Sequence, residues 1–317
     1  MKAKAQPKIN GVLNIDKPAH MTSHDVVDVI RRSSNERQVG HTGTLDPMAT
    51  GVLPICVGRA TKIQQFLIAQ NKEYLIDMQL GLVADSQDTT GKILEENEVK
   101  DFSEQEILDV MKDFKGELEQ IPPMVSAKHH KGKRLYELAR QGIEVKRDPC
   151  KIFIDQLILE DISLPFIKFR VICGKGTYVR TLCHDIGRIL GCGAVMSGLI
   201  RTRCGSFHID DSTPLNEIKS LDDVVQKICS LNDALSVYPS IIVGQDGKAS
   251  VRCGRPLTGG SITRRNGEFT IGSLVRITGR DGSLIGIGEA VMNSEQLDSL
   301  AGNMRVIKPV KIFQPTH

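Results

Sequence analysis

Tryptophan is absent from the 317 residues, and aromatic side chains make up only 4% of them. With 4 Tyr and 9 Phe in all, each tyrosine needs an account of its own. Eight cysteines are present, yet no two have C-x-x-C spacing and no Cys/His set has the spacing of zinc ligands. That pattern argues against a metal ribbon or a dithiol redox centre, and suits small buried thiols in a reducing compartment. No run approaches the roughly 18–20 consecutive apolar residues of a membrane span. The basic stretch Met1–Lys8 has no apolar segment behind it, so it does not read as a signal peptide. Gly174-Lys175 is not a P-loop: the first glycine of that motif would fall on Phe169, and Gly176 stands where Ser or Thr is required. A net charge of +3 is too small to argue for a polyanionic partner. The expectation is a soluble cytoplasmic protein without a metal or other cofactor.

The length and a 40% hydrophobic content allow one large domain or two. The densest stretch is Arg37–Gly58. It sets one carboxylate, Asp46, in a loop rich in Gly, Thr and His, ahead of the apolar run Val52–Val57, which reads as a buried strand. Pro47 keeps Asp46 out of the helical region. A carboxylate held on a stiff turn can act as nucleophile or base, or it can simply cap the turn. Upstream, Gly11–Pro18 reads as a strand running into a turn, where Lys17 could meet a phosphate or be solvated. Thr22 and Asp25 have the pattern of a helix start. Residues 72–82 alternate as a strand, with Tyr74, Ile76, Met78 and Leu80 on one face.

Local charge is uneven. Residues 95–119 carry ten acids against three bases, with a Ser103/Glu106 capping box and a helix predicted to run to Gly116. Residues 128–151 carry eight bases, among them Lys128, Lys131, Arg134 and Arg140, against three acids. This basic run, with a short helix closed by Gly142, can be a solvated face or a clamp on a phosphate backbone. Two strands are predicted near 151–159 and 166–173. A glycine turn then enters a helix whose apolar residues are Val179, Leu182, Ile186, Ile189 and Leu190. Arg180 in its first turn opposes the helix dipole, which suggests an anionic partner. Leu199–Gly205 reads as a strand and 210–240 as a helical connection. Beyond about 245, strands predicted at 248–253, 268–271, 273–280, 283–291 and 304–310 outline a small all-β module with ten bases against six acids.

Five stretches in order resemble the bacterial TruB family of tRNA pseudouridine synthases. They are Gly11–Ser23, Gly40–Pro47 continuing through Ala49–Ile55, Lys72–Gly81, Gly176-Thr-Tyr-Val-Arg-Thr-Leu182, and Leu199-x-Arg-Thr-Arg203. The resemblance spans almost the whole chain, and its tail is similar to a PUA domain. It implies a mixed α/β (α+β) catalytic domain over 1–240, built on a long, mainly antiparallel sheet, with an RNA-clamping insertion at about 122–150. A PUA-like RNA-binding domain would cover 241–317. The implied reaction is isomerisation of the uridine at position 55 in the tRNA T-arm. By matched positions, Asp46 is the catalytic carboxylate, Tyr74 packs on the target base and Arg180 pairs with Asp46. By the same matching, His41 helps displace the uridine and Leu199 lines the base pocket; Lys17, Tyr178, Lys128, Lys131, Arg134 and Arg140 are further candidates for RNA contact. The expected partner is tRNA, with no membrane, no obligate protein partner and a monomeric state. Val125 stands where the family often has Tyr, and Lys128 comes one place early, which alters the RNA contacts expected of 124–131. Two other readings fit less well. An RNA-guided relative tends to lack the basic insertion, and a tRNA-folding chaperone without chemistry would not need Asp46, Tyr74 and Arg180 together.

Overall fold

A computed structural model describes residues 9–126, 128–130, 132–299 and 302–313. The chain divides into two compact units. One is Leu13–Lys227; the other begins at Ile228 and includes the N-terminal stretch up to Val12.

The larger unit is organised by a ten-stranded sheet. Its strands are β1 (Gly11–Lys17), β2 (Val39–His41), β3 (Thr50–Val57), β4 (Lys72–Leu80), β5 (Gly116–Gln120), β6 (Cys150–Ser163), β7 (Phe166–Cys173), β8 (Ala194–Cys204), β9 (Phe207–His208) and β10 (Thr213–Pro214). The spatial order is β10-β1-β3-β8-β4-β7-β6-β5, with β9 on β8 and β2 on β3. The β4, β5, β6, β7 and β8 ladders are antiparallel; β1–β10 and β3–β8 are parallel. Alternation along β4 matches the sequence pattern: Tyr74, Ile76, Met78 and Leu80 are buried and the residues between them half-buried. Seven of the eight residues of β3 are buried, as an unbroken apolar run in the middle of a sheet demands.

Helix α1 (Ser23–Ser34) opens with the Thr22/Asp25 capping box, and α2 (Glu104–Lys112) with the Ser103/Glu106 box. The second helix stops at Lys112 rather than Gly116. Gly116, at φ 91°, starts β5 instead, because the acidic stretch Gly116–Gln120 pairs with the edge of β6. Helix α3 (Val179–Leu190) ends at a left-handed Gly191. It buries Val179, Arg180, Leu182 and Ile186 but leaves Ile189 half exposed. Gly187 lets α3 pass close to β8, since a Cβ there would sit 2.2 Å from the Ala194 nitrogen.

The smaller unit holds a six-stranded sheet of β11 (Ser240–Val243), β12 (Leu257–Thr258), β13 (Ile262–Asn266), β14 (Leu274–Gly279), β15 (Leu284–Ala290) and β16 (Arg305–Ile312), in the order β12-β16-β15-β14-β11-β13. Ile241, Val251, Leu257, Val275, Ile277 and Val306 form its core. Two expected strands are not strands. Residues Gln245–Arg252 form a helix that buries Gly247 and Val251, and 268–271 is a connection that follows β13. The short apolar runs there do not distinguish one helical turn from a strand. No helix among the described residues is long and apolar enough to cross a membrane.

Candidate active site

The loop between β2 and β3 carries Asp46, and the start of α1 holds that loop from one side. Ser23 donates through its hydroxyl to the Leu45 carbonyl (3.1 Å) and accepts from the Leu45 N–H (2.8 Å). The His20 N–H donates to the Pro47 carbonyl at 2.8 Å. The loop then closes as a turn through the Ala49 N–H and the Asp46 carbonyl. Asp46 is thus presented on a braced turn, with its side chain about one-third exposed (33%).

Arg180 reaches it from the first turn of α3, 134 residues away. Its Nε lies 2.9 Å from Asp46 Oδ2, and its Nη2 donates to Oδ1 at 3.2 Å, a bidentate pair. Nη1 faces Asp88 Oδ2 at 3.4 Å and donates to the Ser86 carbonyl at 3.1 Å, while Nη2 also donates to the Val125 carbonyl at 2.8 Å. Asp88 is itself buried and accepts from Ser86 and Thr90. One guanidinium therefore bridges two carboxylates and ties the 124–126 segment to the site. Burial pushes the Asp46 carboxyl above the ordinary carboxylate range; Arg180 opposes this, Asp88 adds to it and Lys17 opposes it.

A pocket of about 240 Å³ opens beside the pair, lined by Asp46, Tyr74, Tyr178, Arg180, Leu199 and Arg201 among others. It lies at the small end for ligand pockets, which start at roughly 300 Å³, and so suits a single base better than a stretch of nucleic acid. Tyr74 is buried on β4, and that burial raises its hydroxyl pKa to about 12 against the opposing effect of Arg201. Leu199 is buried on β8 in the pocket wall. Tyr178 also lines the pocket, and its backbone is fixed by Gln120, which accepts from the Tyr178 N–H (2.8 Å) and donates to its carbonyl (3.0 Å). His41 lines a wider adjoining cleft of about 1290 Å³ with Asp46, Val125 and Arg147, and its Nδ1 accepts from the Gly43 N–H at 3.3 Å.

Lys17 differs from the sequence expectation. It is fully enclosed, and its ammonium donates to the carbonyls of Pro18 (2.8 Å) and Pro47 (3.3 Å), so it braces the Asp46 loop instead of facing a phosphate. Lys128 is half-buried and points at the Cys150 sulfur, 2.6 Å away. Lys131 lies outside the described residues, as do the side chains of Arg134 and Arg140.

Three buried polar residues at the site had no role assigned from the sequence, although Lys72 and Arg201 fall in stretches that carry the family resemblance. Asp88 sits in a turn, Lys72 opens β4, and Arg201 falls in the middle of β8. Lys72 donates to the carbonyls of Ile68 and Gln70 (2.6 Å to the latter), capping the end of a short helix, Gln64–Ile68, and burial pulls its pKa down. Arg201 donates to the carbonyls of Val52 (2.6 Å) and Gly43 (3.1 Å) and so spans the base of the Asp46 loop.

The mixed sheet that carries this partly buried Asp–Arg pair has solved counterparts. The Cbf5 chain of a Cbf5-Nop10-Gar1 complex superposes with a TM-score of 0.76 at 30% identity, over 96% of this chain and 85% of that one. Residues 31–179 match the TruB family pseudouridylate synthase N-terminal domain, 180–234 the tRNA pseudouridylate synthase B C-terminal domain, and 239–312 the PUA domain. A Clostridium tetani protein named tRNA pseudouridine synthase B is 47% identical over 75% of this chain and 82% of its own. A protein of the same name from Pelotomaculum thermopropionicum is 42% identical over 89% and 92%. The chain belongs to the TruB family of pseudouridylate synthases, which are isomerases, and it ends in a PUA domain.

Proposed function

We propose that this enzyme converts the uridine at position 55 in the T-arm of tRNA to pseudouridine, with Asp46 as the catalytic carboxylate. The observation that carries the reading is the bidentate Asp46–Arg180 pair at the mouth of a pocket sized for one base. Relatives named for tRNA at 42% and 47% identity support tRNA as the substrate. The reaction breaks the N1–C1′ bond, turns the base and joins C5 to C1′, with no net gain or loss of atoms. It needs an ionised carboxylate beside C1′, to add to the sugar or to take a sugar proton, and a group to receive the C5 proton. Arg180 keeps Asp46 charged and oriented despite its burial, Tyr74 and Leu199 hold the base, and Tyr74 or water beside it accepts the C5 proton. A base in a folded loop must first be extruded, at about a few kcal/mol of unstacking. His41, which lines the adjoining cleft, fills the vacated space. The basic 128–151 segment and the PUA domain grip phosphates, so binding falls steeply with salt. The enzyme works as a cytoplasmic monomer without a protein partner, and gripping the T-arm also assists tRNA folding.

Incubating a T-arm stem-loop with wild type and with Asp46→Asn, followed by carbodiimide mapping of pseudouridine, tests the reading. Product at position 55 from wild type and none from the variant is expected. Product from Asp46→Asn at the wild-type rate would remove Asp46 from this role. Binding without any product from wild type would leave only the folding activity.

A further inference from the structure

Arg201 is 1% exposed, and among the described residues no carboxylate pairs with it. Taking an unpaired guanidinium out of water costs several kcal/mol, so a buried arginine normally brings an acid with it. Its hydrogen bonds go to two neutral carbonyls, Gly43 in the Asp46 loop and Val52 on β3, and the Tyr74 hydroxyl lies within reach of its charge. The Tyr74 contact is built into the sheet. Arg201 and Tyr74 are directly opposed across the antiparallel β8–β4 ladder, on the face that lines the base pocket. Lys72, two residues before Tyr74 on the same face, is a second buried cation whose only described partners are carbonyls. The end of the pocket around Tyr74 therefore holds two positive charges without an acid, while both carboxylates, Asp46 and Asp88, are engaged by Arg180. Such a floor is complete only when negative charge enters the pocket.

Isomerisation supplies that charge. When the N1–C1′ bond breaks, its electron pair leaves on the uracil ring, which is anionic until C5 has bonded to C1′. The proton then departs from C5 through the Tyr74 oxygen to water, and N1 takes a proton from solvent, so the product is an isomer of the substrate. We propose that Arg201 is a positioning residue acting through Tyr74: it holds the phenol oxygen over the base and supplies the positive charge that stabilises first the detached uracil anion and then, once C5 has bonded to C1′, the negative charge that develops as C5 loses its proton. The role rests on the functional reading above. It explains why a cation lies buried in an alternating strand directly opposite Tyr74, where it reaches the Asp46 loop and the tyrosine at once. A preorganised cation in a site closed to water stabilises developing charge far more than the same cation in solvent.

The test uses the full chain under single-turnover conditions with a T-arm stem-loop whose target uridine carries hydrogen or deuterium at C5. Arg201→Lys keeps a cation on a single donor nitrogen but loses the planar fork that can reach the tyrosine and the loop together. The expected loss of rate is ~10- to 100-fold with RNA affinity little changed, the split produced by an interaction made after binding. The C5-deuterium isotope effect should exceed that of wild type, because proton loss becomes slower relative to the other steps. A general loosening of the fold would lower the active fraction and leave the isotope effect unmoved, and thermal melts of each protein monitor that alternative. The decisive arm is the double-mutant cycle with Tyr74→Phe, which removes the phenol oxygen. If Arg201 acts through Tyr74, Arg201→Lys costs little in that background. Rate losses that multiply, or an unchanged isotope effect in Arg201→Lys, overturn the role while the functional reading stands. A wild-type enzyme without product overturns both.

Discussion

Replacing Lys17 by methionine separates two roles that the sequence alone left open. Lys17 is fully buried, and burial pulls its pKa from 10.5 to about 8, with Asp46 partly opposing the shift. The sign follows from proton counting. Between about pH 8 and 10.5 the unfolded chain keeps the Lys17 proton while the folded chain has released it, so stability rises with pH across that window. Below pH 8 the folded protein carries the whole penalty of a buried charge, about 3 kcal/mol for a displacement of this size. Lys17→Met removes the penalty together with the hydrogen bonds to Pro18 and Pro47. At pH 7 the two effects offset, and stability should change by no more than about 2 kcal/mol in either direction, as when other buried charges give way to apolar groups of similar volume. From pH 7 to pH 10 the wild type should then gain about 2–3 kcal/mol relative to Lys17→Met. Urea unfolding of both proteins at the two pH values measures this difference, and other titrating groups such as Lys72 cancel because both proteins contain them. A pH-independent difference would refute the assignment of a buried, depressed lysine. Turnover gives a second reading: kcat should fall because the Asp46 loop loses a brace, whereas the salt dependence of RNA binding should not change. A salt slope reduced by about one would show a direct phosphate contact instead.

Arg180→Met removes the cation that opposes the rise in the Asp46 pKa, so the acid limb of the kcat/KM profile should move to higher pH, with a loss of at least ~100-fold at neutral pH. Asp88→Asn takes away a like charge and should move that limb the other way, to lower pH, while a less firmly held Arg180 lowers kcat by roughly 10-fold. A limb that stays in place in both variants would show that Asp46 does not set it. Gly51→Ala should destabilise by about 3 kcal/mol or more, because Gly51 has φ 99° and a Cβ there would lie 2.4 Å from the Arg201 carbonyl oxygen. A melting temperature equal to wild type would contradict the close β3–β8 approach.

Elements with a strong local signal were legible in the sequence. The alternation of β4 and both capping boxes follow from side-chain period and hydrogen-bond chemistry that need no tertiary context. Helix Gln245–Arg252 was not, because its buried residues include a glycine and a single valine, too little apolar pattern to outweigh short-strand texture. At the site, Asp46 and Arg180 could each be singled out from local pattern, one on a stiff turn and one opposing a helix dipole, while their pairing across 134 residues was implied by the family resemblance and not by either local signal. Arg201 was hidden for a physical reason: a charged residue in an alternating strand ordinarily marks the solvent face, and here it lies on the buried one. Lys17 gave the converse error, since a lysine beside a proline turn usually reaches water.

The reciprocal hydrogen bonds between Ser23 and Leu45, with His20 on Pro47, have a consequence for how different RNAs would be discriminated. The segment bearing Asp46 is already ordered before any RNA arrives, so no protein ordering entropy there varies from one substrate to the next. The deformation needed to bring a base into reach then falls almost wholly on the nucleic acid. Turnover across a set of tRNAs should then rank by how readily the target loop opens, a loosened loop being processed faster than a rigid one.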